Sequence, residues 1–236
     1  MNQQRDLEGI AALVTGASSG IGRAAAEELG RHGAEVVVHG RDTARGLAVV
    51  DSIAAEGGKA RFVAADLTDV AQLGDLVDRA GPVDVLVNNA GFSWFGPTAD
   101  LDEATFDRLF AANVRAPYFL VGALAPKMAD RGGGSIITIA SMTDQVGLAG
   151  GAVHGATKAA LPSMTRSCAA ELSPSGVPGQ CRRSRARLDR RSRARSHRGA
   201  RRHHPALPSR PARRDLWHRL PRLAQGQAGH RRGLRR

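Results

Sequence analysis

The sequence predicts an α/β fold in which helices cover both faces of a doubly wound parallel sheet. From Ile10 onward, short β-rich apolar runs alternate with longer segments of helical period, an order that requires crossover connections between parallel strands. Several runs, among them Val36-Val37-Val38 and Val83-Asp84-Val85-Leu86-Val87, are nearly continuous in apolar residues, as strands buried on both faces must be. At 236 residues the chain has the length of one such domain with a full core.

The first strand is expected at Ala11 to Thr15, and a glycine-rich turn after it opens a helix from Ile21 to His32. A second strand from Glu35 to His39 leads into a helix from Thr43 to Glu56, and a third from Ala60 to Ala65 leads into one from Val70 to Arg79. The fourth strand, Val83 to Asn88, precedes a single long helix from Leu101 to Met128, and the fifth, Ser135 to Ala140, precedes a helix from Ala152 to Leu172. Right-handed crossovers then wind helices onto both faces of the sheet. At Val177 the pattern stops. The remainder shows no strand-like run and no helical period, and its high charge with few apolar residues predicts disorder.

Charge divides the chain at the same place. Residues 1–177 carry 14 Lys and Arg against 20 Asp and Glu, whereas residues 178–236 carry 20 arginines, no lysine and 2 acidic residues, so net charges of −6 and +18 hide behind the overall +12. The basic balance therefore belongs to the tail and does not mark the folded part as a nucleic-acid binder. Cys168 and Cys181 are too few for a disulfide framework and read as free thiols, and no metal site is expected. Met1 to Asp6 lacks the apolar core of a signal peptide, and no run approaches the ~20 apolar residues of a membrane span, so the expectation is a cytoplasmic protein without a membrane partner.

Thr15-Gly16-Ala17-Ser18-Ser19-Gly20-Ile21-Gly22 lies where the first strand ends and the first helix begins. Glycines there permit a tight turn and close backbone approach, and the helix N-terminus offers N–H groups and positive dipole to a pyrophosphate. Asp66, after the third strand, can accept a hydrogen bond from an adenine amine or cap a helix. Asn88-Asn89 can brace strand ends beneath a cofactor or form a turn. Ser141 stands at the carboxyl end of its strand, the rim at which open α/β sheets hold ligands.

Taken together these residues resemble the short-chain dehydrogenase/reductase family, from about Glu8 to Val177. Gly16, Gly20 and Gly22 match its glycine motif, Asp66 its adenine-side aspartate, and Asn88-Asn89-Ala90-Gly91 its strand-four motif, while Asn113, Ser141 and Lys158 fall at catalytic positions. The resemblance implies a Rossmann-like dinucleotide-binding domain over residues 1–177, incomplete at its C-terminal end, and an Arg-rich tail over residues 178–236. It implies cofactor contacts from Gly16, Ser18, Ser19, Gly20, Ile21, Gly22, Arg41, Asp66, Leu67, Asn89, Ala90, Gly91 and Lys158. Ser141 would polarise a carbonyl, Lys158 would bind the nicotinamide ribose and lower the pKa of the proton donor, and Asn113 would hold a relay water. The implied reaction is NAD(P)-dependent reduction of a ketone or 3-oxoacyl group, or the reverse alcohol oxidation, on a small-molecule substrate. Helices 101–128 and 152–172 resemble the family's dimerisation surface, which implies a homo-oligomer. After the second strand, His39-Gly40-Arg41 offers an arginine and no acid, which suits the 2′-phosphate of NADP(H), although Asp42 keeps NAD(H) in play.

The chain departs from the family pattern twice. Four positions before Lys158, where the family keeps its proton-donating tyrosine, stands His154. Its ring is shorter than a phenol and the neighbouring lysine favours its neutral form, so the chain also reads as a catalytically impaired relative. The second departure is the tail. When the last two bases of each codon are taken with the first of the next, Pro178 to Cys181 permit Arg-Val-Asn-Ala, and the following residues permit a family-like continuation. A one-base frameshift near codons 177 and 178 is the expectation. A tail acting through its charge would instead bind nucleic acid by phosphate contacts without sequence preference.

Overall fold

β1 (Ala11–Val14), β2 (Glu35–Gly40) and β3 (Lys59–Ala64) alternate with α1 (Gly20–Arg31), α2 (Thr43–Ala55) and α3 (Val70–Ala80) in a computed structural model that describes residues 5–184. β4 (Val85–Asn88) is followed by α4 (Glu103–Phe110) and α5 (Ala116–Asp130), and β5 (Ser135–Ser141) by α6 (Ala152–Leu172) and β6 (Gly179–Ser184). The strands lie in the order β3-β2-β1-β4-β5-β6 with every neighbouring pair parallel. This is the predicted doubly wound sheet.

Alternation along the strands feeds two cores. Leu13, Val37 and Leu86 point to one face and pack with Leu76, Leu120 and Leu124, whereas Val14, Val36 and Val38 point to the other and pack with Ala26, Val49 and Ile53. Leu76, Leu120 and Ile53 are at most 2% exposed, and each such side chain contributes about 1.5–3 kcal/mol. Aspartates start the helices: Asp42, Asp69 and Asp102 accept N–H bonds from Arg45, from Ala71 and Gln72, and from Thr105. Ser19 makes no such bond at α1.

Two expectations are corrected. The predicted helix from Leu101 to Met128 is two helices joined by a π-turn at Ala111–Arg115. Asn113 sits in that turn, and its carboxamide is tied to the Phe92 backbone and to Thr157, so the extra residue of the π-turn accommodates a side chain held from outside the helix. The second correction concerns Val177, where the pattern was expected to end the fold. Gly176, at φ 78°, turns the chain back, Val177 is fully buried, and residues 179–184 add a sixth strand in register from Ile136 opposite Gly179 to Ser141 opposite Ser184. An edge strand is held by backbone bonds to β5, which its polar sequence does not forbid, and Arg183 pairs with the buried Asp144 side chain at 2.9 Å. The expected disorder of the remaining tail, from residue 185 onward, lies outside the described residues.

Candidate active site

The glycine turn after β1 is shaped by contacts as well as by conformation. Gly16 has φ 64°, and a Cβ there would stand 2.8 Å from Ala90 Cα. At Gly22 a Cβ would lie 2.4 Å from both Asn89 Nδ2 and Gly16 O, so α1 can begin beneath the turn only with glycine at that position. The Thr15 hydroxyl accepts N–H bonds from Asn89 and Ala90, each at 3.0 Å, and donates to Val87 O at 3.1 Å. Asn89 Nδ2 donates to Thr15 O at 2.9 Å and Gly16 O at 3.2 Å. Of the expected Asn88-Asn89 brace, Asn89 alone performs it. The buried Asn88 amide turns to the opposite face of β4, with no hydrogen-bond partner among the described residues.

These groups line one side of an open groove across the carboxyl ends of β1 to β4, with a volume of about 420 Å³. Ser18, Ser19 and Ile21 stand in its wall beside Arg41, Asp66, Leu67 and Gly91, so the predicted cofactor contacts come together. Gly20 opens α1 at the same turn. Because Ser19 leaves the first-turn N–H groups of α1 without a side-chain cap, the donors and dipole that would meet a pyrophosphate remain available. Asp66 is not the cap of α3, a role that Asp69 fills. Its Oδ1 accepts the Thr68 N–H and hydroxyl, both at 2.9 Å, and these bonds together with the Arg41 and Arg108 charges hold its carboxyl below the usual range. Asp42 caps α2 with Oδ1 and grips Arg45 Nε with Oδ2 at 2.7 Å.

The catalytic candidates gather beyond β4 and β5. Lys158, 9% exposed, donates from Nζ to Ile139 O at 3.2 Å, and Nζ lies 3.7 Å from where a Cβ on Gly91 would stand. Burial lowers its pKa. His154, one turn earlier on α6, is 7% exposed and packs on Phe95 with ring centroids 5.3 Å apart. Burial first, and then the Lys158 charge, push its pKa down, while Nδ1 has no hydrogen-bond partner among the described residues. The Ser141 hydroxyl accepts the Thr143 N–H at 3.3 Å. α6 can approach that turn because position 155 is glycine, where a Cβ would stand 3.0 Å from Thr143 O.

No direct hydrogen bond joins Ser141, His154 and Lys158 among the described residues. Asn113 reaches the group through Thr157, which sequence reasoning missed. Its Nδ2 donates to Phe92 O at 2.9 Å and to Thr157 Oγ1 at 3.1 Å, Oδ1 accepts the Phe92 N–H at 3.0 Å, and Thr157 in turn donates to His154 O at 2.8 Å. A threonine before a lysine carries no signal in sequence; only the packing of α6 on the π-turn exposes the link. Among the described residues there is no cluster able to hold a metal ion, and no helix is long and apolar enough to cross a membrane.

Comparison with known proteins bears on the whole arrangement. The short chain dehydrogenase profile matches residues 10–181. The L-rhamnose 1-dehydrogenase (NAD(P)(+)) of Azotobacter vinelandii is 42% identical over 174 residues, 70% of this chain and 68% of that protein. The gluconate 5-dehydrogenase of Gluconobacter oxydans is 37% identical over 175 residues, 72% of this chain and 68% of its own. Among solved structures, the 3-oxoacyl (acyl-carrier-protein) reductase of Agrobacterium tumefaciens with NADP bound superposes with TM-score 0.75 at 31% identity, covering 82% of this chain and 78% of that one. A metagenomic short-chain oxidoreductase in complex with NADP gives 0.72 at 40%, covering 75% and 81%. Since the match runs from just before β1 into β6 and takes in the glycine turn, the strand-four motif and α6, this chain belongs to the short chain dehydrogenase family.

Proposed function

We propose that the chain binds NADPH, in preference to NADH, along the carboxyl ends of β1 to β4 and reduces a ketone or 3-oxoacyl group, or runs the reverse alcohol oxidation. The observation that carries the cofactor reading is the engagement of Asp42. With that carboxylate committed to the α2 cap and to Arg45, Arg41 enters the groove with no adjacent acid free to take a ribose 2′-hydroxyl, an arrangement that favours a 2′-phosphate. The relatives solved with NADP support the same choice.

When bound, the nicotinamide supplies a hydride to the carbonyl carbon. Ser141, at the end of β5, donates a hydrogen bond to the carbonyl oxygen as negative charge develops on it. Lys158 would hold the ribose hydroxyls, and its charge favours the neutral form of His154. To complete the alcohol, the His154 ring must first take up a second proton from solvent and then pass it to the oxygen, directly or through one water. Asn113 holds the π-turn against Phe92 and Thr157 and orders the relay water there.

His154 favours a second reading as well. A ring held neutral by burial and by Lys158 is a poor general acid, and loss of a positioned acid costs about 10²–10⁴ in rate. In this reading the groove binds cofactor while turnover is slow.

Fluorescence titration with NADPH and NADH, followed by initial rates on ketones and a 3-oxoacyl thioester, tests both readings. Arg41→Ala should weaken NADPH by about 10-fold or more, the worth of a charged hydrogen bond, and leave NADH within about 2-fold. A parent protein that prefers NADH overturns the NADPH assignment. Measurable binding without turnover favours the second reading.

A further inference from the structure

His39 is the penultimate residue of β2, where periodicity predicts a plain buried strand residue, yet its imidazole bridges the segments that follow β1 and β3. The residue is 3% exposed. Nδ1 accepts the Gly16 N–H at 3.2 Å, and Nε2 lies 3.1 Å from Ala65 O. A carbonyl oxygen only accepts, so Nε2 carries the proton and Nδ1 is bare, which makes the ring neutral and of one tautomer. The His39 carbonyl also accepts the Ala17 N–H at 2.8 Å. Gly16 and Ala65 lie just past the ends of β1 and β3, and His39 gives both a partner.

We propose that His39 is a positioning residue for the dinucleotide groove. One ring sets the distance between the turn that faces the pyrophosphate and the segment that carries Asp66, so the two halves of the groove are held in place before any ligand arrives. The proposal rests on the cofactor reading above. Its physical content is preorganisation: without the ring, the Gly16 N–H loses its partner, the turn keeps only its bonds to Asn89 and to the His39 carbonyl, and binding must order it further. Burial keeps the ring neutral, with a pKa lowered to about 4, so the bonding pattern persists at neutral pH.

His39→Ala, His39→Asn and His39→Gln separate this from core packing. Asparagine places an acceptor near the Nδ1 position and can restore the Gly16 bond, whereas glutamine reaches toward Ala65 and cannot. In the full chain without cofactor, amide hydrogen exchange at Gly16 should speed up by about 10-fold or more in His39→Ala and His39→Gln and recover in His39→Asn, because exchange reports local opening. NADPH affinity should follow the same order, with His39→Ala weaker by about 10-fold and His39→Asn within about 3-fold of the parent, the size expected when one hydrogen bond of about 1.4 kcal/mol is lost or restored. Parent-like exchange and affinity in all three variants would overturn the proposal. So would equal losses in His39→Asn and His39→Gln that track melting temperature alone. If the parent binds no NADPH, the cofactor reading fails, and exchange at Gly16 alone decides whether His39 holds the turn.

Discussion

At His154 the ring is buried against Phe95 with Nδ1 unpaired, and both burial and Lys158 favour the neutral form. His154→Tyr replaces an orphaned buried nitrogen with a phenol one turn from Lys158, and the rate on a general ketone should rise by about 10² or more. NADPH affinity should stay the same, because Gly16, Gly22 and Arg41 are untouched; steady-state rates and a binding titration check both halves. His39 makes a separate prediction about pH. Its pKa is about 4 in the folded chain and the ordinary value is 6.5, so the unfolded chain binds the extra proton as pH falls below 6.5. The His39 contribution to stability should therefore fall between pH 6.5 and 4 and level off below, with about 2 kcal/mol of it already lost at pH 5. The exposed aspartates with lowered pKa titrate in a more acidic window. Urea unfolding at pH 7 and pH 5 should show the loss in the parent and a smaller one in the His39→Asn variant, where His154, also held neutral by burial and Lys158, still takes up a proton on unfolding.

Among the elements, β6 is the least complete. Gly179 faces a small, mostly apolar cavity between the sheet and α5 and α6, walled by Val121, Ile136, Leu161, Met164 and Val177, with a volume of about 20 Å³. A Cβ at Gly179 would meet Ala169 and Thr165 at 3.6 Å, an ordinary contact. Gly179→Ala should stabilise the fold by about 1 kcal/mol through one buried methyl and a less flexible strand residue. Denaturant midpoints measure the change, and an alanine variant no more stable than the parent would show that position 179 is already closely packed. The π-turn is the other irregular element. Straightening it by deleting one residue from Ala111–Arg115 would rotate Asn113 away from Phe92 and Thr157.

For the whole molecule, Phe106 on α4 and Tyr118 and Phe119 on α5 are 43%, 55% and 51% exposed. They fall in the stretch 101–128 that the sequence leads one to expect at an oligomer contact; on that expectation light scattering should show a homo-oligomer that Tyr118→Glu with Phe119→Glu converts toward monomer. The net +18 of residues 178–236 predicts a different behaviour during purification. Nucleic acid should be retained at low salt and released steeply as salt rises, because such binding depends on counterion release. Retention at high salt with preference for one sequence would instead assign the tail a selective nucleic-acid role.

The alternation of apolar strands with helical segments determined the sheet, its parallel strands and the start of α6 at Ala152, because burial on both faces leaves a continuous apolar run that sequence displays directly. The glycine turn and Asn89 were legible for the same kind of reason: close backbone approach admits few residue types. Tertiary structure alone decided the rest. Whether Asp42 serves a ribose or caps α2 depends on which N–H groups lie within reach of a short side chain, and sequence does not order those distances. Thr157 and His39 act through atoms brought from distant elements, Asn113 in one case and Gly16 with Ala65 in the other. β6 shows the converse. Its polar sequence carries no strand pattern, and it pairs because β5 presents an unfilled backbone edge that only the assembled sheet creates.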